Sequence, residues 1–428
     1  MAELTARSGR REHPDAPTPK ERLRRRLFHV GGLDITFCCL LIVLFVAGIA
    51  MMYSASFATS VAKYGNPHHF FFRQLGAGIF GLAVMLFVSK IDYRVLNSIW
   101  AWIIYGAAIF LLVLTLAYNT LKGNTMKRWI PVPILGQFQP SEVGKFALIL
   151  ILSYLLCIFY PSLQAANGRR AMPNLRGVTK FERAVYCLFG TPTPATVFCG
   201  VTAAVIIGLV FLENHLSCTM LLIFLTVAML WVGNVKGRWF IFGFSVLFVV
   251  VMVLYLKPEI LQGFAKYGYE RIAVFKTKQT VGNTTYWQTE QSLFAIGSGG
   301  PFGVGFGNSR QKQLWLPEPQ NDFIFAIIVE ELGYVGGAII ILLFAALVWR
   351  GFVIATKARD YFGALLVIGI MMQVALQVIL NIAVVTDTIP NTGIGLPFFS
   401  YGGTALVILL AEMGVVLSVS RTCTVEKE

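Results

Sequence analysis

Residues Asp322–Trp349 read DFIFAIIVEELGYVGGAIIILLFAALVW. A helix needs about 20 mostly apolar residues to cross a hydrocarbon core of about 30 Å, and this stretch is long enough. Its only acidic or basic groups, Asp322, Glu330 and Glu331, fall within its first ten residues. Working outward, the same apolar pattern recurs at Ile35–Ala55, Phe70–Val88, Trp100–Leu116, Val143–Phe159, Ala195–Leu212, Leu216–Trp231 and Trp239–Leu256 before it, and at Tyr361–Val385 and Ala405–Val419 after it. The pattern predicts an all-α polytopic membrane protein. It is a single bundle of about ten transmembrane helices with a large extracytoplasmic loop between the seventh and eighth spans. Composition agrees: of 428 residues 56% are hydrophobic and only 13% charged, against about 25% in ordinary soluble proteins. That excludes a water-soluble enzyme, a disordered chain and a free-standing nucleic-acid binder, despite a net charge of +14.

The positive charge sets orientation instead, because short cytoplasmic segments carry excess Lys and Arg. Residues 1–30 form a basic tail, read as cytoplasmic and disordered rather than as a signal peptide. Lys90–Arg94, the segment from Arg169 to Arg183, the Lys236/Arg238 turn and Arg350–Arg359 are basic as well. All of these fall on one side when both termini are cytoplasmic. The predicted transmembrane domain covers 31–420, its outer loop 257–321, and 421–428 is a second cytoplasmic tail. Glu213-Asn214-His215 is expected to make a tight outer turn between the fifth and sixth spans, with a single kinked element as the competing reading. Seven cysteines, mostly in apolar runs and without a Cys-x-x-Cys pair, predict neither a disulfide framework nor a zinc site.

Function is sought where the sequence resists the bilayer. In FQPSEVGK at 138–145, Pro140 with Ser141 and Glu142 suits a helix start, and Lys145 follows about one turn later. Trp129 reads as an interfacial anchor or a substrate contact. The long outer segment ends in a glycine-crowded stretch, 297–307, expected to fold over a ligand. Asp322 stands at the outer mouth of the eighth span, where an ionisable side chain is a site by default. Glu330 and Glu331, about two turns deeper, are expected to hold a buried hydrogen-bond network. NTGIGLPFFSYGG at 391–403 breaks helix and is expected to line the same cavity.

Taken together and in order, RWI at 128–130, FQPSEVGK, AIGSGG at 295–300, GVGFGNSRQK at 303–312, LPE at 316–318, DFIFAIIVEELG and PNTGIGLPFFSYGG at 390–403 resemble the SEDS family (shape, elongation, division and sporulation proteins). The GNSRQK run is similar to the division and sporulation members rather than the elongation member. The resemblance implies a peptidoglycan glycosyltransferase that polymerises Lipid II beside a class B penicillin-binding protein transpeptidase. Other division-complex membrane proteins are implied as partners too. It implies septal placement in a bacterial cytoplasmic membrane and an essential outer-face aspartate at Asp322. It assigns Trp129 and Lys145 to substrate. A divalent cation, Mg or Mn, is implied, with no ligand set readable. Two departures stand out: Gln320-Asn321 replaces the usual His-Thr, and Glu213-Asn214-His215-Leu216-Ser217 replaces Pro-Asp-x-Gly-Thr.

The implied reaction places a sugar hydroxyl on an anomeric carbon bonded to pyrophosphate. Asp322 is the candidate base, worth typically 10²–10⁴-fold. An α-linked donor and a β-linked product imply a single inverting displacement. Lys145, Arg271, Lys276 and Lys278 are candidates to stabilise the leaving pyrophosphate, and Glu142, Gln291 and Ser400 complete the expected substrate-binding set. The rival readings are a flippase that moves Lipid II without making bonds, an elongation or sporulation sibling of the polymerase, and a scaffold for division proteins.

Overall fold

Every apolar run becomes a helix in the computed structural model, which describes residues 32–122, 128–132, 136–166, 180–256, 266–279 and 286–423. The tails 1–30 and 424–428 lie outside these residues. In chain order the helices are α1 (Ile35–Tyr64), α2 (His69–Val88), α3 (Ile99–Leu121), α4 (Pro140–Ala166), α5 (Lys180–Phe189), α6 (Pro192–Leu212) and α7 (Leu216–Val232). They continue as α8 (Gly237–Leu256), α9 (Lys266–Thr277), α10 (Trp287–Gly299), α11 (Ile324–Thr356), α12 (Tyr361–Val385) and α13 (Gly403–Thr422). Among the described residues eight helices are long and apolar enough to cross a bilayer, and α7 is a shorter apolar helix of 17 residues. One two-stranded antiparallel hairpin interrupts the helical pattern, pairing β1 (Ile130–Val132) with β2 (Gly136–Phe138).

Local chemistry fixes several ends. The Asp34 carboxylate accepts the Phe37 amide at 2.9 Å and caps α1, and Asp360 does the same for α12 through Gly363 at 2.7 Å. Pro140 is the first residue of α4 and Glu142 lies in its first turn, as the sequence suggests. Helices α4 and α13 form the buried centre, whereas α2 and α3 turn most of their surface outward. Close approach of α2 and α13 depends on Gly414, where an added Cβ would stand 2.6 Å from the Met85 carbonyl. At the end of the bundle opposite Asp322, ion pairs latch the helices together. Asp34 pairs with Arg350 at 2.8 Å, and Asp360 accepts both the Tyr93 hydroxyl (2.6 Å) and Arg94 Nε (3.0 Å).

Helix α11 departs from the expected span. Its 33 residues amount to about 50 Å, more than a hydrocarbon core needs. It breaks at Gly333, which takes φ 73° and ψ −178°. Residues Ile324 to Glu331 are buried throughout, and large exposed apolar side chains begin only after the break, at Tyr334, Val335, Ile339, Leu342 and Trp349. The lipid-facing part therefore starts about ten residues later than the apolar run does. The glycine-rich stretch explains the shift. Val304 and Gly305 donate to the carbonyls of Glu330 and Glu331 (2.9 and 3.0 Å), and Tyr334 and Val335 donate to Gly300 and Pro301 (2.9 and 3.1 Å). The loop thus satisfies the backbone groups that the broken helix leaves open. Phe302 and Phe306 of this loop point outward, exposed.

Gly333→Ala is expected to destabilise the protein. An added Cβ would meet the Pro301 carbonyl at 2.3 Å, and the positive φ with extended ψ, a conformation essentially confined to glycine, alone costs about 1–3 kcal/mol. A lowered unfolding midpoint in detergent checks this.

Candidate active site

Asp322 lies just before α11 with its backbone fastened on two sides. Its carbonyl accepts Asn381 Nδ2 of α12 at 2.8 Å, and the same amide donates to Ile394 at 2.7 Å. One residue earlier, the Asn321 carbonyl accepts the Ser400 hydroxyl at 2.6 Å, and Ser400 Oγ also accepts the Leu396 amide at 2.6 Å. These contacts bind the 391–403 loop to the Asp322 backbone through Ser400.

The Asp322 carboxylate is directed at Gly393, which has a positive φ of 74°. A Cβ there would lie 3.1 Å from Asp322 Oδ2 and 3.8 Å from Arg128 Nη1. The missing side chain lets the carboxylate and a guanidinium converge on one point. Arg128 is buried and donates to the Asn214 carbonyl; Arg271 donates to the Asn391 carbonyl. Asp322 keeps part of its surface open, yet the protein packed around it raises its carboxyl above the ordinary range. Arg271 and Arg128 draw it back part of the way, and Glu318 adds to the rise. The departure at 320–321 has a local use. Gln320 and Asn321 both donate to Glu318 Oε2, at 2.8 and 3.2 Å, and Glu318 pairs with Lys63 of α1.

Behind this site the turn 213–217 joins two helices, so the kinked-element alternative does not hold. Asn214 sits in the left-handed region with φ 60° and offers its carbonyl to Arg128. The Ser217 hydroxyl donates to Thr392. His215 contacts Gln139 Nε2 at 3.4 Å, and burial together with Arg128 and Lys145 keeps its imidazole neutral. Glu213 is fully buried, and neither carboxyl oxygen meets a hydrogen-bond partner among the described residues. Burial pushes that carboxyl up to about 9 against the opposing pull of Arg128, so it is neutral at pH 7.

A polar stripe descends from Asp322 along α12: Asn381, Gln377 and Gln373, one residue per turn. Gln377 accepts from Lys145 Nζ at 3.3 Å and donates to the Gly395 carbonyl at 3.0 Å. Lys145 is buried and pairs with Glu142 at 2.7 Å. The predicted Glu142 and Lys145 are thus joined to the 391–403 loop.

Glu330 and Glu331 organise a separate network, as expected in kind. Glu330 accepts the Ser309 hydroxyl (2.5 Å) and the Arg310 amide (2.8 Å). Glu331 pairs with buried Lys312 at 2.7 Å and accepts Ser54 of α1 at 2.7 Å. Both carboxylates pin the GNSRQK run to α11.

The remaining candidates are spread more widely. Trp129 adjoins Arg128, and its carbonyl accepts Asn119 Nδ2 at 3.1 Å. Lys278 faces Asp387 at 2.5 Å, its side chain partly exposed, and Lys276 is exposed in the last turn of α9. Gln291 is buried on α10, and among the described residues no hydrogen bond joins it to Asp322. As for the implied divalent cation, no group of three His, Cys, Asp or Glu residues comes together among the described residues. The neighbours drawing on Asp322 are two guanidiniums. This donor set does not fit a cation held by the protein alone.

The profile of the FtsW/RodA/SpoVE cell cycle proteins matches residues 34–424. Stage V sporulation protein E of Bacillus subtilis is 34% identical over 390 residues, spanning 91% of this chain and 97% of that protein. The probable peptidoglycan glycosyltransferase FtsW of the same organism is 32% identical over 384 residues, 87% of each chain. Among solved structures, a chain from a study of how a peptidoglycan synthase complex coordinates polymerization and crosslinking superposes with a TM-score of 0.65 at 22% identity, covering 91% of this chain and 98% of that one. The rod shape determining protein RodA of Thermus thermophilus superposes at 0.59 with 23% identity, covering 92% and 98%. The fold is shared with both structures, and with a family match that runs nearly from end to end, this chain belongs to the SEDS family of FtsW, RodA and SpoVE.

Proposed function

We propose that this protein is a peptidoglycan glycosyltransferase that joins Lipid II units into glycan strands, with Asp322 as general base. One observation carries the assignment: the carboxylate of a half-buried aspartate with two guanidiniums drawing on it, at the end of a polar stripe leading into the bundle. The acceptor hydroxyl gives its proton to Asp322 as its oxygen bonds the donor's anomeric carbon. The bond from that carbon to pyrophosphate breaks on the opposite face, and polyprenyl pyrophosphate leaves with the electron pair. Arg128 and Arg271 supply planar donor forks suited to phosphate oxygens. Lys145, with Glu142 and Gln377, braces the loop that carries Gly393.

Basic segments at the opposite end, including Arg94, Arg350 and Arg359, favour that end as cytoplasmic and the Asp322 end as extracytoplasmic. The GNSRQK run and the FtsW relatives favour septal use with division-complex partners; the SpoVE relative makes sporulation the alternative. A class B penicillin-binding protein is the expected crosslinking partner, in keeping with the synthase complex that shares this fold. The test is the purified protein with that partner in liposomes holding labelled Lipid II. Glycan ladders support the polymerase; movement of lipid between leaflets without polymer supports a flippase. Depletion in growing cells separates the roles, with filaments expected for division and normal growth for a sporulation enzyme.

Gly393→Ala is expected to cut polymerisation by about tenfold or more. The added methyl both strains a positive φ, at about 1–2 kcal/mol, and presses on Asp322 Oδ2. Initial rates of ladder formation check it.

A further inference from the structure

On the Asp322 side of the bundle, the ends of α9, α10 and α12 meet at one carboxylate oxygen. Helix α9 stops at Thr277, and Lys278 closes it by donating its amide to the Val274 carbonyl at 2.8 Å. Helix α12 stops at Val385, and Asp387 follows two residues on. Tyr286 stands directly before α10. Asp387 Oδ2 accepts both Lys278 Nζ, at 2.5 Å, and the Tyr286 hydroxyl, at 2.8 Å. The Lys278 ammonium also lies 4.3 Å from the centre of the Phe275 ring and 5.1 Å from that of Tyr286.

The backbone at this junction is costly. Lys278 and Asp387 both take a φ of 55°, in the left-handed region that glycine usually fills after a helix. Asp387 also sets a negative charge at a helix C-terminus, where the dipole disfavours it. An exposed ion pair contributes little by itself, and Lys278 is 43% exposed, although Asp387 is only 12% exposed. Strain and an opposed dipole at one paired carboxylate point to a task beyond stability.

What the junction holds is α9, which packs broadly against no other helix among the described residues. Arg271 lies seven residues before Lys278, about 10 Å along the axis and on the same face. Arg271, Phe275, Tyr286, Asp387 and Asn391 line one small cavity. Arg271 donates to the Asn391 carbonyl, and Asn391 Nδ2 donates to Gln288 of α10 at 3.0 Å. Asn391 is two residues before Gly393, where Asp322 and Arg128 converge.

We propose that Asp387 is a positioning residue: by tying Lys278 and Tyr286 together it fixes the end of α9 and holds Arg271 beside Asp322. Its effect on rate rests on the glycosyltransferase reading; its effect on the Asp322 carboxyl does not. The charged groups acting on that carboxyl are Arg271 from α9, Arg128 before β1 and Glu318 before α11. Releasing Arg271 removes one of the two charges that hold it down, so its titration moves up.

The test uses the full-length protein in lipid nanodiscs, with isotope-labelled aspartate titrated by infrared spectroscopy. The Asp322 band is the one missing from Asp322→Asn. Asp387→Asn keeps the size of the side chain and can still accept from Tyr286, but it loses the charge. It is expected to move the Asp322 titration up by about one unit, the low end of what a neighbouring cation does to an aspartate. With Lipid II and the transpeptidase partner added, the acid limb of kcat/KM is expected to move with it, so that polymerisation below the limb falls about tenfold. Lys278→Met, which leaves Asp387 and its Tyr286 bond in place, is expected to give the same shift, so the test stands if the first variant folds poorly. The exchange Lys278→Asp/Asp387→Lys restores the pair with its signs reversed and is expected to bring both readings back toward the native values. A shifted carboxyl in a protein that makes no polymer would keep the positioning and remove the glycosyltransferase reading. An Asp322 titration unmoved in both single variants would overturn the proposal.

Discussion

Lys312→Met is expected to lower stability by about 3–5 kcal/mol, the usual cost of breaking a buried ion pair from one side. Lys312 and Glu331 are 3% and 0% exposed, and the ammonium is fully used. It donates to Glu331 Oε1 at 2.7 Å, to the Gly307 carbonyl at 2.7 Å and to Ser54 Oγ at 2.9 Å. Methionine keeps the approximate bulk of the chain but leaves Glu331 with only Ser54 and the Ser309 amide as donors, at 2.7 and 3.4 Å. An uncompensated buried carboxylate is the expensive outcome. The loss should release the glycine-rich loop from the break in α11, since Glu331 also anchors that loop through its backbone carbonyl. Thermal unfolding in detergent and proteolysis within 303–312 check the prediction together. The double variant Lys312→Met/Glu331→Gln should recover part of the loss, because it removes the stranded charge. A single variant as stable as the native protein would show that the network contributes nothing.

Asp322→Asn is expected to lower the polymerisation rate by about 10²–10⁴-fold, the worth of a positioned general base. The amide matches the carboxylate in size but cannot take a proton. Stability is not expected to fall. The folded protein raises the Asp322 carboxyl above its unfolded value, so the ionised form costs stability as pH climbs through that raised value. Asparagine removes the cost at neutral pH. The same shift sets the pH profile of the native enzyme. The base works as the carboxylate, so kcat/KM should fall as pH drops, with the fall beginning above the ordinary aspartate value of about 3.9. Arg128→Met withdraws a positive charge that holds the carboxyl down, and should move the acid limb to still higher pH.

The helices were legible because bilayer-length apolar runs leave little choice of structure: every run seen in the sequence became a helix. The point at which α11 begins to face lipid was not legible. Its first residues are as apolar as its lipid-facing ones, and only the positive φ at Gly333, with the loop hydrogen-bonded across it, separates protein interior from lipid contact. Within the site, Asp322, Glu142 and Lys145 stood out as charges in apolar surroundings. Gln373, Gln377 and Asn381 did not, although their spacing of one per turn on an otherwise apolar helix is a readable signal. Arg128 was visible as part of a motif, but its approach to Asp322 depends on Asn214 and on the bare backbone at Gly393, both distant in sequence. The buried carboxyl of Glu213 could not be inferred from a three-residue turn. The pairing of Lys278 with Asp387 was not legible either, because the two stand 109 residues apart.

The central claim is that Asp322 acts on the bound substrate rather than holding the fold or the lipid. It is tested most directly by measuring Lipid II binding and glycan-ladder formation side by side for native protein and Asp322→Asn, in the same liposomes with the same transpeptidase partner. The expected result is comparable binding by both, with ladders from the native protein and none above background from the variant. Ladders of equal length and rate from the two proteins would contradict it.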